Sequence, residues 1–91
     1  MLTLNEITSK LENLNDWILD GNAIIKQVDF NSLKEAMPYI EKLAEVSENI
    51  GNSPDIIMIS GTIRLTLPSA INKELSENDF KLAEEIDKIQ K

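Results

Sequence analysis

The sequence contains no cysteine and no histidine. Without cysteine there are no disulfides and no thiolate chemistry, which suits a reducing compartment, and a cytoplasmic location is the expectation. Without histidine the chain lacks the one side chain that titrates near neutrality without special help. Basic residues are also scarce: 9 Lys and Arg against 16 Asp and Glu give a formal charge of −7. That balance argues against general binding to nucleic acid or to an anionic membrane. No apolar run reaches the length of a membrane span. The start MLTLNEITSKL is amphipathic, without the basic first segment and apolar core of a secretory signal. Low-complexity stretches, internal linkers and short-period repeats are absent as well.

What is present is an ordinary globular composition, 42% hydrophobic over 91 residues. That length predicts a single domain, residues 1–91. A chain this short buries only about 60–65% of its unfolded surface, so its core is modest and self-association would help it.

The most informative stretch is Glu48 to Leu67, ENIGNSPDIIMISGTIRLTL. Gly51 is a good helix stop, since the residue just past a helix often needs a positive φ. Asn52, Ser53 and Pro54 continue the turn, and Pro54 cannot extend the helix. Alternation then predicts two strands. Ile57 and Ile59 share a face of the first, Ile63, Leu65 and Leu67 share a face of the second, and Ser60-Gly61 turns between them.

The rest is read in order. Thr3 opens a capping box with Glu6, and Ile7, Leu11 and Leu14 follow at helical spacing, so a first helix is expected to end near Asn13 to Asn15. Trp17 to Leu19 make a short strand, Asp20-Gly21-Asn22 a turn, and Ala23 to Phe30 a second strand. Lys26 falls on the apolar face of that strand, with its head expected to snorkel out at an edge. Trp17, the only tryptophan, reads as core rather than as a stacking platform. Ser32 opens a second box with Glu35, and its helix should run to about Asn49. This helix has two apolar stripes. Ala36, Tyr39, Leu43 and Val46 form one; Leu33, Met37, Ile40 and Ala44 form the other. So broad an apolar surface contacts more than one partner, and one stripe is assigned to the sheet and the other to a second subunit. Pro38 lies inside this helix, where the lost bond to the Lys34 carbonyl costs roughly 3 kcal/mol and predicts a kink or a tolerated distortion. Ser76 opens a third box with Asp79, for a last helix to about Gln90 with Leu82, Ile86 and Ile89 inward and a Glu84–Lys88 pair outward.

The order α-β-β-α-β-β-α predicts an α+β fold, a four-stranded antiparallel sheet with three helices packed on one face. Glu41, Glu45 and Glu48 recur at helical spacing but read as a solvated face, and no metal site is expected. No cofactor is expected either.

The chain resembles the pterin-4a-carbinolamine dehydratase family, also called 4a-hydroxytetrahydrobiopterin dehydratases. The similarity runs through Trp17, Asp20-Gly21, the strand from Ala23 to Phe30, Ala36-Met37, Ala44-Glu45, Glu48, Pro54-Asp55 and Thr66-Leu67. It continues through Leu75-Ser76-Glu77 with Asp79, Leu82-Ala83 and Ile86-Asp87. The family's signature is Glu, three residues, then His-His-Pro, with a third histidine after the second hairpin. Glu48 and Pro54 stand where that pattern requires them. Asn52 and Ser53 occupy the two histidine positions and Ala70 the third, while Ile56 stands where an aromatic often follows.

The resemblance implies loss of water from a 4a-carbinolamine of a reduced pterin. The leaving hydroxyl must gain a proton and a ring nitrogen must lose one, tasks that suit imidazole. Asn52 can hydrogen-bond but cannot titrate, and Ser53 is a poor acid or base unless activated. Losing a positioned acid or base costs about 10²–10⁴ in rate. The leading expectation is therefore a dehydratase-like protein without normal activity that works through protein contacts. The alternatives are a pterin-binding protein using Asn52, Ser53, Pro54, Ser69 and Ala70 as its pocket, and a weak dehydratase using Glu48 or Asp79 in place of histidine. The family pairs sheets edge to edge as dimers and pairs dimers through the central helix. The expectation here is a dimer at least, with a tetramer through residues 32–49 put in question by Pro38.

Overall fold

A computed structural model describes residues 1–91 as helices α1 (Leu4–Leu11), α2 (Leu33–Ile50) and α3 (Glu77–Asp87) and strands β1 (Trp17–Asp20), β2 (Ala23–Asp29), β3 (Asp55–Ile59) and β4 (Thr62–Leu67). The four strands form one antiparallel sheet in the order β1-β2-β4-β3. Each hairpin pairs within itself, and β2 joins β4 at the centre.

The caps explain where the helices begin. Thr3 Oγ1 accepts from the Glu6 amide at 3.2 Å, and the Glu6 carboxylate accepts from the Thr3 amide at 2.9 Å. That backbone donor is the main reason the Glu6 carboxyl lies below its ordinary pKa. Only half of the second box forms: Ser32 Oγ accepts from the Glu35 amide at 3.2 Å. Gly51 closes α2 in the left-handed conformation, φ 76°. At the second hairpin Ser60 takes φ 55°, and Gly61 has no room for a side chain, because a Cβ would run into the Phe30 carbonyl oxygen.

The core lies between the sheet and the helices. Ile24, Val28, Ile63, Leu65 and Leu67 face Ala36, Tyr39 and Leu43 of α2 and Phe80, Leu82, Ala83 and Ile86 of α3. Each fully buried Leu or Ile contributes roughly 1.5–3 kcal/mol. Trp17 belongs to this core. The two stripes of α2 have different fates, as their spacing implied. Ala36, Tyr39 and Leu43 are buried, whereas Leu33 and Met37 remain 52% and 42% exposed. Helix α2 runs unbroken through Pro38. The shared face of Ile57 and Ile59 is the outer one. Register pairs Ile57 with Arg64 and Ile59 with Thr62, away from the helices, while half-buried Met58 packs against the core.

Several expectations are corrected. Helix α1 stops at Leu11, before Asn13, and buries no residue fully; Leu14 still packs on the core from beyond its end. Helix α3 stops at Asp87 rather than Gln90. Lys88 pairs with Glu85 at 2.7 Å instead of Glu84, one residue closer. Lys26 does not reach for solvent. Its Nζ donates to Asp87 Oδ1 at 2.7 Å, with the two side chains only 12% and 8% exposed. The same carboxylate accepts from Trp17 Nε1 and from the Asn15 amide, both at 2.8 Å. Three donors from the β1–β2 region thus meet one carboxylate at the end of α3.

Removing that carboxylate strands a buried cation and two donors. Asp87→Ala is expected to lose about 3–5 kcal/mol of unfolding free energy, and replacing both partners (Lys26→Met with Asp87→Leu) to lose less. A urea midpoint for Asp87→Ala equal to wild type would refute the role assigned to this pair. Tyr39 offers a second check. Burial first, and the Asp87 carboxylate second, push its phenol up to about 12 from 10.0. The neutral phenol is favoured in the fold and the unfolded chain ionises first, so stability falls as pH rises from about 10 to about 12. As the only tyrosine, it should ionise with a midpoint near 12 by near-ultraviolet absorbance while the fold persists; a midpoint near 10 would contradict its burial.

Candidate functional site

The turn between α2 and β3, the loop between β4 and α3, and the first turn of α3 meet at one end of the molecule. Asp79 is the centre of this meeting. It is 1% exposed. Its Oδ2 accepts from the Ser76 amide at 3.0 Å and the Ser76 hydroxyl at 3.2 Å. Its Oδ1 accepts from Asn52 Nδ2 at 2.9 Å. A carboxylate in the first turn of a helix is also favoured by the helix dipole. Both oxygens of Asp79 are therefore engaged by donors.

Asn52 reaches Asp79 because Gly51 turns the chain out of α2, and the Asn52 amide is held by the Ser47 carbonyl at 3.2 Å. Its own Oδ1 accepts from Asn72 Nδ2 at 3.2 Å. A chain of three side chains results, Asn72 to Asn52 to Asp79. A second tie crosses the site: Asp55 Oδ2 accepts from the Ala70 amide at 2.9 Å, fixing the start of β3 to the loop after β4. The Ser69 carbonyl accepts from the amides of Asn72 and Lys73 at 3.0 and 3.3 Å.

Of the seven residues singled out by sequence, Asn52 and Asp79 are joined directly and Ala70 is joined through its backbone. Pro54 and Ser69 are buried, Ser53 is exposed, and Glu48 is exposed on α2 with no hydrogen bond or ion pair. Sequence reasoning missed Asn72 and the cross-link made by Asp55. Asp55 carried a signal, following Pro54 at the head of a strand, but Asn72 sits in a loop with no motif. Chemically the site offers carboxamides, hydroxyls and one engaged carboxylate. It can donate and accept hydrogen bonds, and it holds no imidazole.

Sheet order, helix placement and the Asn52–Asp79 bond between the α2–β3 turn and α3 define an α+β domain with a site at one end of its helices. The family model for pterin 4 alpha carbinolamine dehydratase matches residues 1–89, and the chain belongs to that family. A protein of Prochlorococcus marinus is 33% identical over 98% of this chain and 94% of its own length. One of Acidobacterium capsulatum is 35% identical over 94% of each. Both are provisionally named pterin-4-alpha-carbinolamine dehydratases. Among solved structures, a transcriptional coactivator/pterin dehydratase from Brucella melitensis superposes with TM-score 0.82, covering 93% of each chain at 24% identity. A pterin dehydratase-like protein identified as a RuBisCO assembly factor in the α-carboxysome superposes with TM-score 0.65, covering 82% of this chain and 89% of that one at 23% identity. At those identities the two structures speak for the fold.

The Asn52–Asp79 bond can be tested alone. Asn52→Leu leaves a buried carboxylate oxygen without its donor and should cost about 1–3 kcal/mol by urea unfolding. Asn52→His, which keeps a ring N–H donor, should cost less. Equal midpoints for Asn52→Leu and wild type would show that the bond carries no stability.

Proposed function

We propose that this protein keeps the dehydratase fold without the dehydratase reaction and acts through protein contacts as a self-associating domain. The observation that supports this most is the occupancy of the three histidine positions. One holds an asparagine bonded into Asp79, one a serine and one an alanine. None can carry a proton at neutral pH, and Asp79 already has both oxygens engaged. The structural relative described as an assembly factor supports the idea that this fold serves roles other than catalysis. The absence of cysteine favours a cytoplasmic setting.

Two surfaces suit self-association. Strand β3 is an edge strand with Ile56, Ile57 and Ile59 between 44% and 71% exposed and no charge or proline from Ile56 to Ile59; such an unprotected edge pairs readily with another strand. The outer stripe of α2, with Leu33 and Met37 exposed, is the second. We assign a dimer to β3 and any tetramer to α2. The second reading is a pterin bound without turnover, favoured by the exposed Ser53 hydroxyl beside the Asn52 carboxamide. The third, a weak dehydratase through Glu48 or Asp79, is decided by the same assay.

The deciding experiment measures dehydration of a 4a-hydroxytetrahydropterin with the protein in excess over a protein-free control, alongside light scattering at micromolar concentration and calorimetry with a pterin. The expected result is no acceleration, together with a dimer that Ile57→Lys with Ile59→Lys converts to monomer. Acceleration lost in Glu48→Gln or Asp79→Asn would replace this reading with the third. Heat of pterin binding without turnover would replace it with the second. A wild-type monomer would defeat it.

A further inference from the structure

A concave site lies outside the residues considered so far. The segment leading into α1, the β1–β2 turn and the loop between β4 and α3 enclose a cleft of about 650 Å³, within the range of roughly 300–1,000 Å³ typical of small-molecule sites. Its apolar side is formed by Leu2, Ile7, Leu19 and Leu75, of which Leu75 is buried and Leu19 is 37% exposed. Its polar side is formed by Asn22 and by Asn72, Lys73 and Glu74.

The polar side is held in place from behind. Asn72 Nδ2 donates to Asn52, which donates to the buried Asp79, so Asn72 is anchored while its amide oxygen has no donor. The Asn22 carboxamide is likewise without a hydrogen bond. Lys73 takes the left-handed conformation, φ 64°, which lysine seldom adopts, fixed by the bonds of its amide to Ser69 O at 3.3 Å and of the Glu74 amide to Asn72 O at 2.7 Å. Strain of that kind collects at ligand clamps. Lys73 and Glu74 form no ion pair, and their opposite charges cancel each other; Met1 also lines the cleft, but it is 99% exposed, so water and salt screen its terminal amine.

We propose that this cleft is a binding site for a small uncharged molecule that has an apolar ring or chain and one amide-like edge. The apolar body lies against Leu2, Ile7, Leu19 and Leu75. The edge donates to the free Asn72 oxygen and exchanges a hydrogen bond with the Asn22 carboxamide. A net charge of either sign on the ligand gains from one of Lys73 and Glu74 what it loses to the other, and it forfeits hydration on entry. The site uses neither the β3 edge nor the outer stripe of α2, so it stands whatever the oligomeric state.

The test is a titration of the full-length ¹⁵N-labelled chain, followed by amide NMR shifts, with three matched aryl probes: neutral acetanilide, anionic benzoate and cationic benzylammonium. Acetanilide should give saturable shifts at Leu19, Asn22, Asn72 and Leu75, and bind at least about threefold tighter than either ion. Leu19→Arg should weaken it about tenfold or more. Lys73→Glu should turn the ion preference toward benzylammonium. Should Leu19→Arg disturb the fold, Asn22→Asp, in an exposed turn, should shift preference from acetanilide to benzylammonium. No saturable shifts with acetanilide, equal binding of the three probes, or shifts confined to Ile57–Ile59 or to Asn52–Ala70 would each overturn the proposal.

Discussion

A carboxylate taken out of water must be met by donors or it costs several kcal/mol, and Asp87 is met by three. Its position gives that requirement structural reach. It ends α3, seventy residues along the chain from Trp17 and sixty-one from Lys26, so satisfying it docks the last helix on the first hairpin. The helix dipole makes the last turn an unfavourable place for an anion; the Lys26 cation at 2.7 Å offsets that. Lys26 in turn would interrupt the apolar face of β2 without the anion. Neither residue is tolerable there alone, and together they fix how α3 lies on the sheet. Trp17 covers the pair, with the Lys26 ammonium 6.0 Å from its ring centre, and adds its own N–H to the same carboxylate.

Asp79 plays the corresponding part at the other end of α3. Eight residues separate the two acids, about 12 Å along a helix. At the N-terminus the dipole helps, and the capping residue Ser76 supplies two of the three donors. The third comes from Asn52, across the site from the end of α2. Helix α3 is thus clamped at one end to the β1–β2 hairpin and at the other to the α2–β3 turn. The apolar stripe of Phe80, Leu82, Ala83 and Ile86 fills the space between.

Much of this was legible in the sequence, because much of it is local. The Thr3–Glu6 and Ser76–Asp79 caps, the Gly51 stop and both hairpin turns follow from residues within four positions of one another. The inner and outer stripes of α2 follow from spacing alone. What was not legible depends on where distant segments land. The fate of Lys26 could not be read from β2, since its partner lies sixty-one residues away. The failure to place it shows how alternation finds a face but not what lies opposite. Leu11 ends α1 early because the following residues turn toward the sheet, and no glycine or proline marks that point. In the site, Asp79 was recognisable as a cap and Asn52 as a turn residue, yet their bond spans twenty-seven positions. Asn72, with no motif around it, had no signal to find.

The same bond bears on positions 52, 53 and 70, where the resemblance to the family leads one to expect histidine. A side chain at position 52 has two duties that can be separated: to donate to the buried Asp79, and to move a proton. An amide N–H performs the first as well as a ring N–H and cannot perform the second. Asn52 therefore meets the first duty, holding α3 through Asp79, and leaves the second unmet. A substitution such as Leu would have removed both and left a buried acceptor unpaired. Stability places no comparable demand on the other two positions. Ser53 is exposed, and Ala70 contributes only its backbone, through Asp55. The demand for a donor at position 52 is thus one of burial, and it holds whether or not a proton is ever moved there.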